Sequence, residues 1–95
     1  MSQNSVRKHQ RAAQTLKAVA HPARLQILST LKEKGKLSVG DIQKEVGLSQ
    51  SMTSQHLAVL RRAEVLGCEK KGNICLYHIV DKNIFQLLHC VEKNV

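Results

Sequence analysis

A single residue, Leu48, separates Gly47 from Ser49. Glycine is the usual left-handed terminator of a helix, and serine is a preferred N-terminal cap. The stretch therefore ends one helix and starts the next with almost no connection between them. The earlier helix opens at Ser38, where Ser38 and Asp41 have the spacing of a capping box, with Asp in place of the commoner Glu. Val39, Ile42 and Val46 are its inward stripe. The later helix is predicted over residues 50–63, with Thr53, Leu57 and Leu60 buried. Two short helices joined by a tight glycine turn form a helix-turn-helix unit.

The rest of the chain fits around that unit. Residues 6–20 read as a helix with Ala12, Ala13, Leu16, Val19 and Ala20 near one stripe and Arg7, Lys8 and Arg11 near its start. His21-Pro22 interrupts the pattern, and Pro22 suits a first helical position because its missing N–H costs nothing there. A helix over residues 22–34 follows, with Leu25, Leu28 and Leu31 on its face and Gly35 as its stop. After the helix-turn-helix, LGCEKKGNICLYHIV reads as a hairpin with a basic tip, turning at Gly72-Asn73. The last segment, residues 81–95, reads as a helix with a seam of Ile84, Leu88, Val91 and Val95, widened by Phe85 and Leu87. An apolar surface that wide needs two partners, one of them outside the subunit. The fold class is mainly α with a small β-hairpin, in the order α-α-α-α-β-β-α, and one domain is expected over residues 1–95.

The polar residues of the fourth helix point to a function. Its first two turns hold Gln50, Ser51, Ser54 and Gln55, all on the face away from Thr53, Leu57 and Leu60. Capping explains Ser49 and one neighbour at most, but not Ser54 and Gln55 well inside the helix. On a recognition helix the first turns enter the major groove, where hydroxyls and amides contact phosphates and base edges. Arg61 and Arg62, about two turns later, suit phosphates. Lys70 and Lys71 at the hairpin tip can reach backbone or minor groove. The chain carries 15 Lys+Arg against 7 Asp+Glu, a formal charge of +8, which favours a polyanionic partner. Double-stranded DNA is the expected partner.

Other classes fit less well. No nucleophile, base and orienting group recur at a spacing that would make an enzyme. Tyr77 and Phe85 are the only aromatics besides histidine, too few for a stacking platform, so an RNA-binding domain is disfavoured. A protein-docking winged helix is the other alternative, and the basic wing argues against it. No stretch approaches the ~20 apolar residues of a membrane span, and the N-terminus lacks the apolar core of a signal peptide. The cytoplasm is the expected location. The three cysteines, Cys68, Cys75 and Cys90, form no Cys-x-x-Cys, so neither a disulfide framework nor a zinc knuckle is expected.

LKAVAHPARLQILSTL, LSVGDI, LSQSMTSQHLAVLRRAEVL and KKGNICLYHI together resemble the arsenic-repressor (ArsR/SmtB) family of bacterial regulators. The resemblance runs from about Leu16 to Val95. It implies a winged-helix homodimer joined through its first and last helices, with Leu16, Ile84, Leu88 and Val91 at the joint. It also implies a repressor that holds a palindromic operator until an effector or redox signal releases it.

The family's sensor sites do not match this chain. A Cys-x-Cys metal site on the third helix would fall on Ser38 and Gly40, which supply no thiolate. A metal site on paired last helices would fall on Asp81, Asn83, Asn94 and beyond, where Asp81 alone matches and is expected to act as a helix cap. No metal or other cofactor is expected. A dithiol pair between the second and last helices would fall on Ser29 and Cys90, and Ser29 is not a thiol. His89 and Cys90, adjacent on a helix, diverge by about 100°. Cys68 and Cys75 remain as the pair to test for redox activity. They would face each other directly around a Lys71-Gly72 turn but not around Gly72-Asn73, and are expected to be small apolar filler on the wing's inner face. His56 is expected to pack beneath the fourth helix and hydrogen-bond the scaffold.

Overall fold

The computed structural model describes residues 3–93. Its elements are α1 (Gln3–Val19), α2 (Pro22–Lys34), α3 (Val39–Val46), α4 (Gln50–Arg62), β1 (Leu66–Lys71), β2 (Ile74–Ile79) and α5 (Asn83–Glu92). Val95 and Asn94 lie outside the described residues.

The caps read from the sequence are in place. Ser38 Oγ accepts from the Asp41 N–H at 3.2 Å, and Ser49 Oγ accepts from the Met52 N–H at 3.1 Å. Gly47 is left-handed, with φ 70°, and its N–H reaches the Gln43 carbonyl at 2.9 Å. The α3–turn–α4 unit is thus fixed by local chemistry.

Helix α2 lies at the centre, against α1, α3, α4, α5 and β2. It buries Ile27, Leu28 and Leu31, with Leu25 only partly covered. This is broader than the single stripe read from the sequence, because a helix surrounded on several sides buries more than one face. Ile42 and Val46 of α3, Leu57 and Leu60 of α4, and Val65 and Leu66 complete the core around it.

The first helix adds little to the core: Ala18 and Val19 are buried in α1, whereas Ala12, Ala13 and Leu16 are exposed. The last helix departs from expectation. Ile84 and Leu88, expected at a joint between subunits, are each 1% exposed and belong to this subunit's own core. The turn of α5 that carries them faces α2.

The hairpin is antiparallel, with Cys68 opposite Tyr77 and Lys70 opposite Cys75. The two-residue loop Gly72-Asn73 sets that register, with φ 62° at Gly72. Tyr77 also pairs with Leu37 on its other side, through an N–H···O bond of 2.7 Å and a return bond of 3.1 Å. A single β-bridge therefore ties the base of the wing to the segment before α3. At Gly67 a Cβ would lie 2.9 Å from Val80 Cγ1, so a larger residue there would require the Val80 side chain to shift. No helix among the described residues is long and apolar enough to cross a membrane.

Candidate nucleic-acid interface

Helix α4 presents two faces. Thr53, His56, Leu57 and Leu60 are buried. Gln50, Ser51, Ser54, Gln55, Arg61 and Arg62 are exposed. Thr53 satisfies its hydroxyl internally by donating to the Ser49 carbonyl at 2.8 Å. The side chains of Gln50, Ser51, Ser54 and Gln55 form no hydrogen bond with other described residues. Their hydroxyls and amides are thus open to an outside partner.

The cations show the same availability. Ion pairs among the described residues are Arg11–Glu64, Lys32–Glu92, Lys34–Glu45 and Lys36–Glu69. Arg61, Arg62, Lys70 and Lys71 are exposed and belong to none of them. Lys36 also holds the Glu69 carboxyl below the usual carboxylate range, by hydrogen bond first and by charge second. The acidic residue on the wing is thus neutralised at close range. Alternation along β1 sends Lys70 to the face shared with Cys75 and Tyr77, and Lys71 to the opposite face with Ile74.

A cleft of about 540 Å³ runs between α4 and the wing, lined by Ser54, Leu57, Ala58, Arg61, Arg62 and Tyr77. Tyr77 was not singled out from the sequence as part of this surface. Strand alternation places it on the inner face, but only the packing shows that this face meets α4. Met52, 49% exposed at the start of α4, is a second surface residue that helical periodicity did not mark.

One buried polar group positions the helix. His56 is 8% exposed, and Arg24 Nε donates to its Nδ1 at 3.2 Å. Arg24 Nη1 also donates to the Ala18 carbonyl at 3.2 Å, and the His21 ring lies 4.6 Å from the His56 ring. The cluster links α4 to the end of α1 and the start of α2. Burial, then the neighbouring His21 and Arg24, push the His56 imidazole below its usual pKa.

The sensor positions are occupied differently from any metal site. Ser38 caps α3, and Gly40 is a helical position. Asp81 Oδ1 accepts from the Asn83 N–H at 3.0 Å, a cap-like bond at the start of α5. Among the described residues no three His, Cys, Asp or Glu side chains cluster as metal ligands. The Ser29 hydroxyl donates to Glu92, which also pairs with Lys32 at 3.2 Å. The expectation of unpaired filler cysteines is overturned. Cys68 and Cys75 are joined as a disulfide, with Cα atoms 5.5 Å apart. They sit on one face in diagonal register, a neighbourhood that cysteine spacing alone does not disclose.

The terminal helices leave apolar surface uncovered. Val6 and Leu16 on α1 are 40% and 53% exposed, and Phe85 and Val91 on α5 are 41% and 42% exposed. A groove of about 280 Å³ between these helices is lined in part by Ala12, Leu16 and Leu87.

Comparison with known proteins gives a uniform result. The family described as "Bacterial regulatory protein, arsR family" matches residues 21–66, which span α2, the helix-turn-helix and the start of the wing. The uncharacterized HTH-type transcriptional regulator Rv0081 of Mycobacterium tuberculosis is 43% identical over 82 residues, covering 85% of this chain and 71% of the relative. The crystal structure of the transcriptional repressor PagR of Bacillus anthracis superposes with a TM-score of 0.85 at 30% identity, covering 90% of this chain and 98% of PagR. The solution structure of the homodimeric winged helix-turn-helix DNA-binding domain Mb0332 from Mycobacterium bovis gives a TM-score of 0.85 at 25% identity, covering 97% and 84%. The chain belongs to the arsR family of bacterial regulatory proteins, which are winged-helix transcriptional regulators rather than enzymes.

Proposed function

We propose that the protein is a homodimeric repressor that reads a palindromic duplex operator with α4 and holds the flanking phosphates with its wing. The observation that carries this reading is the open polar face of α4, flanked by cations that enter no ion pair among the described residues. Gln50, Ser51, Ser54 and Gln55 enter the major groove. Gln50 and Gln55 are the candidate base readers, because an amide can bond adenine through two edges. Arg61, Arg62, Lys70 and Lys71 bind phosphate. The name of PagR supports a repressor, and the homodimer of Mb0332 supports a two-fold assembly.

A second copy of the chain covers the apolar surface of α1 and α5, with Leu16 and Val91 at the joint. Phe85 and Val6 replace Ile84 and Leu88 in that role. The two-fold places the α4 helices about 34 Å apart, in successive major grooves. The test is selection of binding sites from a random duplex pool, followed by titration of the selected site across salt. The expected outcome is an imperfect palindrome whose affinity falls steeply with salt. Recovery of no shared sequence would overturn the operator reading.

A further inference from the structure

Backbone support for the wing stops part-way along it. Tyr77 is the hairpin residue in the Leu37 bridge, so backbone pairing with the body ends at the rung Cys68–Tyr77, beyond which the Glu69 side chain still pairs with Lys36. The next rung on that face, Lys70–Cys75, has no third strand, and the hairpin continues to Lys71–Ile74 and the Gly72-Asn73 loop. An unsupported two-stranded hairpin is marginal in water. The disulfide Cys68–Cys75 ties the bridged rung to the next rung on the same face, Lys70–Cys75. It encloses Glu69, Lys70 and Lys71 in its ring, and both cysteines are partly exposed to solvent.

We infer that Cys68 and Cys75 are a reversible dithiol–disulfide couple that fixes the wing tip for phosphate binding. The inference rests on the duplex-binding function proposed above. The oxidant class is a hydroperoxide and the reductant class a dithiol. One thiolate attacks a peroxide oxygen; the O–O bond breaks, giving a sulfenic acid and, after proton uptake, water. The second thiolate attacks the sulfenic sulfur; the S–S bond forms and hydroxide leaves as water. Overall, two thiols and hydrogen peroxide give one disulfide and two waters, the sulfurs losing the two electrons that the peroxide gains. A dithiol reverses the step by exchange through a mixed disulfide and is itself oxidised.

The consequence is pre-organisation. In the disulfide form the register of the tip is pinned, so Lys70 and Lys71 meet phosphate with less ordering to be done on binding. In the dithiol form that ordering falls on the complex. The disulfide form therefore binds duplex roughly three- to ten-fold more tightly, the size expected for immobilising one or two long side chains in advance.

The experiment uses the full chain carrying Cys90→Ser, which leaves the wing cysteines as its only thiols. Samples treated with hydrogen peroxide or with dithiothreitol are compared. Intact mass and peptide mapping report the link; fluorescence anisotropy reports binding to a random-sequence duplex about three helical turns long. The expected result is a Cys68–Cys75 link that dithiothreitol opens, with the tighter binding confined to the linked form. Cys68→Ser with Cys75→Ser is expected to bind like the reduced protein and to ignore peroxide. Failure to form the link, a link that dithiothreitol does not open, or tighter binding by the reduced form would each overturn the inference. Equal binding by the two forms overturns this inference alone. Absence of duplex binding in both forms overturns the DNA reading, and this inference with it.

Discussion

Arg24 of α2 and His56 of α4 are joined by a 3.2 Å hydrogen bond in which the arginine Nε donates to the imidazole Nδ1. The acceptor must be unprotonated, so the bond exists only with neutral histidine. A charged imidazole would lose the bond and face the guanidinium with like charge. The inner face of α4 is therefore held by a contact that depends on protonation.

A pH dependence follows from that contact. Burial and the neighbouring cationic groups hold His56 below its usual pKa, whereas the unfolded residue titrates near about 6.5. Between those values the unfolded chain binds more protons. The stability from keeping His56 neutral is complete above about pH 6.5 and is lost as pH falls through the folded value. Thermal melts should show a falling Tm on acidification. His56→Gln, whose amide oxygen can still accept from Arg24, should show a shallower fall. Parallel curves for the two proteins would refute the assignment.

Base reading and phosphate holding should fail differently. Gln55→Ala should cost roughly 1–3 kcal/mol on the selected operator and little on random duplex. Lys71→Ala should weaken both alike and reduce the salt slope by about one counterion. Titrations on both duplexes at several salt concentrations check this. Equal losses for the two variants on both duplexes would remove α4 as the reading element.

The two apolar positions of α5 should also separate. Leu88 is 1% exposed and Val91 is 42% exposed. Leu88→Ala should cost about 2–5 kcal/mol of folding stability through the cavity it leaves. Val91→Glu should leave the subunit folded but monomeric, because an unpaired carboxylate is costly to bury in an interface. Circular dichroism and sedimentation velocity distinguish these outcomes. A dimeric Val91→Glu would move the joint elsewhere.

Glu64 provides a stability test remote from the polar face of α4. It is left-handed, with φ 61°, and closes α4 through Glu64 N–H to Arg61 O and Val65 N–H to Leu60 O bonds, each 3.0 Å. This paired arrangement usually takes glycine at the left-handed position. Relief of the strain exceeds the extra chain entropy of glycine, so Glu64→Gly should stabilise by about 0.5–1 kcal/mol. The surface ion pair with Arg11, 3.7 Å long and 80% exposed on both sides, offers little to lose. A lowered urea midpoint would contradict this.

The sequence by itself determined whatever local chemistry decides. Gly47, Ser38 and Ser49 place the ends of α3 and α4 because the groups they satisfy lie within a few residues of them. The apolar period of α4 separates Thr53, Leu57 and Leu60 from the polar residues opposite, since a helix converts spacing directly into faces. Tertiary structure decided where a surface faces after packing. The apolar residues of α5 look equivalent in sequence, yet Ile84 and Leu88 turn to α2 while Phe85 and Val91 turn outward. The Leu37–Tyr77 bridge joins residues far apart in the chain, so no local pattern marks it. Glu64 carries no turn signal, and its left-handed backbone is imposed by the return of the chain from α4 into β1. Cys68 and Cys75 meet because a two-residue turn sets a diagonal register, and a slip of one residue would have put them on opposite faces.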